Sequence, residues 1–176
     1  MITLRRYRDA RREPGGVLFS RHPTSSGPGR ARTHRTPRYL VVGYHGQAGG
    51  DQALHCAAQL AEDRSDTGLL VTYVTSLAQV VVLSGGMPHA VGPILYQEAE
   101  IAAHLAEQVA CQLQDGSVEW RFLHKWGDVA DELRALADIV GGVGIVVGQP
   151  RSLIGKIGVS VPARLRRSAS QHIFVA

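Results

Sequence analysis

The sequence predicts an α/β fold: a mostly parallel, doubly wound sheet with helices on both faces. Three observations predict it. Short apolar runs that read as buried strands recur at residues 39–44, 69–74, 143–147 and 172–176. Segments with apolar residues at helical spacing separate them. Apolar residues make up 44% and charged residues 19% of 176 residues, a composition that buries a core in one domain of ordinary size.

The elements follow in order. Tyr39-Leu40-Val41-Val42-Gly43-Tyr44 reads as a buried strand closed by the Gly-rich loop 46–50. Asp51 is the expected N-cap of a helix whose stripe is Ala53, Leu54, Ala57, Leu60 and Ala61. The strand 69–74 comes next. Residues 76–95 are expected to form a long connection, with Val80-Val81-Val82 inside it and a turn at Gly85-Gly86. A second helix is expected over 96–113, with Ile101, Leu105, Val109 and Leu113 on one face and Glu98 and Glu100 in its first turns. Residues 118–123 alternate apolar and polar side chains, which predicts a strand exposed on one side, at a sheet edge. Asp128, after Gly127, is the expected N-cap of a helix carrying Ala130, Leu133 and Leu136. The apolar strand 143–147 ends at Gly148, and a glycine-bearing loop leads to a basic helix over 160–168 and a last strand at 172–176. In such sheets ligands bind beyond the carboxyl ends of the strands, where the winding reverses. The loops after the first and fourth of these strands, 44–50 and 148–160, are therefore the candidate site.

Residues 1–37 form a different region. Residues 1–38 hold ten arginines against Asp9 and Glu13, a net charge of +8, whereas the rest of the chain is mildly acidic. The segment has few apolar residues to bury and is expected to be a basic tail that does not fold by itself. Such a tail suits nucleic acid or another polyanion as partner, and the basic balance of the whole chain says nothing about residues 38–176. No stretch of about 18 apolar residues and no apolar h-region occurs, so neither a membrane span nor a secretory leader is expected. Cys56 and Cys111 are too few for a disulfide framework, and the eight histidines show no metal-ligand spacing. These features predict a cytoplasmic protein. Ser84-Gly85-Gly86-Met87 has the letters of a phosphate loop but does not follow the first strand, so chance accounts for it. No Ser/His/Asp arrangement has a nucleophile-elbow context.

Four local features, in order, resemble the universal stress protein (UspA-like) family over roughly residues 38–176. They are Leu40-Val41-Val42-Gly43-Tyr44-His45-Gly46 with Ala53-Leu54; Gly127-Asp128-Val129-Ala130, similar to the family's Gly-Asp-Pro-Ala; Ile145-Val146-Val147-Gly148; and the closing Ile173-Phe174-Val175-Ala176. The resemblance implies five parallel strands in the order 3-2-1-4-5. It implies a stress-response protein acting by binding or signalling, with no catalytic residues and no metal. Members often dimerise through the last strand, which implies a homodimer here. Nucleotide-binding members carry an acid after the first strand and a glycine loop closed by Gly-Ser or Gly-Thr, whose backbone N–H groups cradle phosphates. The candidate pocket carried over is Tyr44, His45, Gly46, Gly148, Arg151, Gly158 and Ser160. It departs from the binding pattern: His45 stands at the acid's place, Arg151 at the second glycine's, and Val159 separates Gly158 from Ser160. Arg151 and Lys156 could instead supply charge to a phosphate. The expected state is a degenerate loop with no firmly bound cofactor. One alternative is a regulatory switch that binds ATP, AMP or a cyclic nucleotide; another is a nucleotide hydrolase or nucleotidyl transferase on the same fold.

Overall fold

The computed structural model describes residues 18–21, 38–64, 66–149, 160–168 and 171–176. The elements, in chain order, are β1 (Leu18–Arg21), β2 (Arg38–Gly43), α1 (Ala48–Glu62), β3 (Thr67–Thr75), α2 (Leu77–Leu83), α3 (Pro88–Gln112), β4 (Trp120–Trp126), α4 (Val129–Ile139), β5 (Gly144–Val147), α5 (Val161–Ser168) and β6 (His172–Val175). They form one sheet in the order β1-β4-β3-β2-β5-β6. The five strands from β2 onward are parallel and realise the expected 3-2-1-4-5 order. β1 is an addition, antiparallel to β4 from Leu18 opposite Leu123 to Arg21 opposite Trp120. The segment read as a tail therefore contributes a strand, and β4 is not at the edge where its alternation placed it. A strand's outer N–H and C=O groups need partners whatever its side chains look like, and β1 supplies them.

Side chains on the parallel strands alternate between two cores. On one face Leu40, Val42, Leu69, Val71 and Phe122 pack under α1 and α3, through Ala53, Leu54 and Ala57 of α1 and Leu105 and Val109 of α3. On the other, Val41, Leu70, Ile145 and Val147 pack under α4 and α5, through Leu133, Leu136 and Leu165. The small Ala53, Ala57 and Ala61 recur every fourth residue and let α1 approach the sheet closely.

Three local expectations change. The stretch 76–95 is not a connection: α2 and the first turns of α3 form a helical hairpin there. Gly85-Gly86 is its turn, closed by Gly86 N–H to Val81 C=O at 3.3 Å, the bond pattern that ends many helices. The third strand of the parallel set runs on to Trp126. Asp51 lies inside the first turn of α1, where Gln47 holds the N-cap position. Asp128 caps α4 as expected, accepting from Ala130 N–H at 3.0 Å and Asp131 N–H at 3.2 Å. It also receives Arg164 Nη1 of α5 at 2.6 Å, so the residue that starts one helix ties down another. No helix among the described residues is long and apolar enough to cross a membrane.

Candidate functional site

β2 and β5 are neighbours in register, Gly43 opposite Val147. The two strands are parallel, and the direction in which strands are added to the sheet reverses between them, so Tyr44 and Gly148 are the first residues past the strand ends at the switch point. The structure brings together Tyr44, His45, Gly46 and Gly148 around the start of α1. Ser160 stands just before α5, where its C=O accepts from Arg164 N–H at 3.0 Å. Arg151, Gly158 and Lys156 lie outside the described residues, as does the rest of the loop between 150 and 159.

Tyr44 is buried, and its hydroxyl donates to Asp51 Oδ1 at 2.9 Å. Gln112 Nε2, from the end of α3, donates to the same oxygen at 2.8 Å. Burial, and then the Asp51 carboxylate, push the Tyr44 hydroxyl well above its ordinary pKa. Asp51 is the only acid between Tyr44 and itself, and this bonding turns it toward α3. His45 is exposed; its Nδ1 accepts from Gln47 N–H at 3.2 Å and closes the turn into α1. Gly46 has a φ of 71°, and a Cβ there would meet Leu105 Cδ2 at 2.3 Å, so both backbone angle and space call for glycine.

Gly148 is constrained by its neighbour. A Cβ on it would lie 2.0 Å from Gly49 C=O, and a Cβ on Gly49 would lie 2.9 Å from Gln149 C=O. The first turn of α1 thus sits directly on the backbone leaving β5. The glycine that the resemblance assigns to a phosphate cradle is required here for helix-on-loop packing. Among the described residues, the side chain that follows Tyr44 is the exposed His45, and Gly148 packs against Gly49.

A second polar corner lies beside the first, at the ends of β3 and β4, and the sequence did not reveal it. Glu98 Oε2, on α3, accepts from Tyr73 OH and from Thr75 Oγ1, both at 2.8 Å. His124 Nε2 lies 2.9 Å from Thr75 Oγ1. Thr75 has one hydroxyl proton and gives it to Glu98, so His124 is the donor to Thr75. His124 is 1% exposed and stacks on Tyr73, with Trp126 on it at 4.7 Å between ring centroids. Burial lowers its pKa below the ordinary value, against a weaker upward pull from Glu98. The Tyr73 hydroxyl is pushed up to about 12, by burial first and Glu98 second. The Thr75 hydroxyl proton thus goes to Glu98 and not to His124. Continuing the Trp120, Phe122 alternation by one more step would have placed His124 on the buried face. Among the described residues no cluster of His, Cys, Asp or Glu could hold a metal ion.

No protein-family model matches the chain, and no curated protein matches it. Solved structures do. The universal stress protein UspA from Lactobacillus plantarum is 16% identical, with a TM-score of 0.61 over 80% of this chain and 98% of that one. A universal stress protein family protein from Arabidopsis thaliana with AMP bound is 17% identical, with a TM-score of 0.57 over 79% of this chain and 90% of that one. A universal stress protein in complex with cAMP is 19% identical, with a TM-score of 0.54 over 81% of this chain and 98% of that one. At such identities a likeness speaks for architecture. The parallel core in 3-2-1-4-5 order, the helices on both of its faces and the near-complete coverage of these structures give one result: the chain has the universal stress protein fold.

Proposed function

We propose that the chain is a cytoplasmic, universal stress protein-like stress-response protein that acts by binding or signalling, with a nucleotide loop that has lost firm binding. The observation that carries this reading is the backbone contact of Gly49 with Gly148. It supports a switch-point crevice filled by the protein itself, and the His45, Arg151 and Val159 departures from the binding pattern support the same conclusion. On this reading the chain acts without catalytic residues. A homodimer through β6 belongs to this reading, because β6 is an apolar edge strand without charge or proline. The polyanion partner rests on arginines outside the described residues, save Arg21 and Arg38.

Calorimetry with MgATP, AMP and cAMP tests the loop. Binding no tighter than roughly 100 µM, about −5.5 kcal/mol, is expected for each. Low-micromolar binding of any of them would overturn the reading. It would favour the second one, a nucleotide-responsive switch, which the AMP and cAMP held by two relatives of the same fold support. Restoring glycine at both altered loop positions (Arg151→Gly with Val159→Gly) should strengthen binding if loop chemistry is the obstacle. Unchanged binding would place the obstacle at the Gly49–Gly148 contact.

A further inference from the structure

From Ser76 to Gln97 the chain has no Asp, Glu, Lys or Arg. That stretch is the α2–α3 hairpin, and it is apolar on its outside. Leu77 is 51% exposed, Val81 60%, Val82 77% and Leu83 69%, and Met87 and Tyr96 are also more than half exposed. Among the described residues, every exposed large apolar side chain except Ile101 and Ile139 lies in this hairpin. Within α2 only Val80 is buried. An amphipathic surface helix turns its polar side to water; α2 turns Val81 and Val82 outward.

The hairpin is also held in place. Glu98 stands where its second helix reaches the sheet, and it is fixed there by Tyr73 and Thr75, with His124 behind them. The apolar face is therefore presented in a set orientation.

We propose that the α2–α3 hairpin is a docking surface for a second copy of this chain, packed face to face about a two-fold axis and separate from the β6 edge. Three arguments select that occupant. A nucleic acid or an anionic membrane is recognised by Lys and Arg, and the hairpin has neither. A surface without charge needs a partner without charge, and the hairpin itself satisfies that condition. Six large side chains exposed by half or more offer on the order of 500 Å² per copy, and two such faces together reach the roughly 1,000 Å² at which specific interfaces begin. Closed two-fold pairing of identical patches is the commonest assembly.

The test is the mass of the full chain in solution, by sedimentation velocity and light scattering up to about 100 µM, for the wild type and for Val82→Glu with Leu83→Glu. The hairpin variant should halve the wild-type mass. It should do so from tetramer to dimer if β6 also pairs, and from dimer to monomer if it does not. Both positions are largely exposed, so the variant should keep the wild-type circular dichroism. If it does not, Val82→Ser with Leu83→Ser replaces it with the same expectation. A wild-type monomer, or an assembly whose mass the hairpin variants leave unchanged, overturns the proposal. So does wild-type flotation with neutral phosphatidylcholine vesicles that the variants lose without any change in mass, because the occupant is then a membrane.

Discussion

Tyr44 and Tyr73 stand at the ends of neighbouring strands and make the same kind of bond. Each hydroxyl donates to a helix carboxylate, Asp51 on α1 in one case and Glu98 on α3 in the other. The two corners differ in what completes them. Asp51 takes its second bond from the amide of Gln112, which does not titrate. Glu98 takes its second bond from Thr75, which leads on to a buried histidine. The first corner lies beside the backbone contact of Gly49 with Gly148 at the switch point. The second holds the base of a hairpin with an apolar outer face. One bonding device thus steadies the start of α1 in one place and the hairpin in the other, and the second leads on to a buried histidine.

The largest effect should come from the Gly49–Gly148 contact. Gly148→Ala puts a methyl group 2.0 Å from a backbone oxygen, which no side-chain rotation relieves. A loss of about 3 kcal/mol in denaturant unfolding is expected, at the upper end for overpacking; wild-type stability would show that α1 does not sit on this loop. Next come the acids. Glu98→Ala strands two donors at the ends of β3, one of them on the buried Thr75, and should cost about 2 kcal/mol. Asp51→Ala, at a more open corner, should cost nearer 1 kcal/mol. The reverse ranking would overturn the contrast between the corners.

The smallest effect is the most specific. The folded pKa of His124 is lowered from 6.5. Below 6.5 the unfolded chain takes up a proton that the folded chain refuses. The contribution of His124 is therefore full above 6.5 and is lost as pH falls toward the lowered folded value. His124→Gln keeps a donor for Thr75 and removes the titration. Unfolding measured at pH 7.5 and at pH 5.5 should show wild type losing more stability than this variant. Asp51→Ala should leave the difference between the two pH values as it is in wild type. Equal losses in wild type and the His124 variant would separate the second corner from pH.

These corners also show how far the residues alone carry. The parallel core and the Asp128 cap were legible because strand runs, helical stripes and caps are local patterns. Asp51 looked like a cap because Asp after a glycine-rich loop usually is one; its actual partners, Tyr44 and Gln112, are 7 and 61 residues away and carry no such signal. The α2–α3 hairpin was hidden because Gly85, Gly86 and Pro88 are loop residues by type, and here they are the turn and the first residue of α3. β1 was hidden for a different reason. Four residues in an arginine-rich stretch have no pattern of their own, and what makes them a strand is the outer edge of β4. Of the candidate pocket, Tyr44, His45, Gly46 and Gly148 lie around the start of α1, and the packing of Gly148 on Gly49 joins positions far apart in the chain and carries no local signal.

The pairing of β1 with β4 has a consequence for how the protein is made. Translation delivers Leu18–Arg21 about 100 residues ahead of its partner, so at roughly 5–20 residues per second β1 waits on the order of 5–20 s on the ribosome before β4 emerges. β2 and β3, only a helix apart, can pair during that time. β1 is thus synthesised before β4 and used only after it, and the nascent sheet grows outward from β2 before Leu18–Arg21 folds back onto β4.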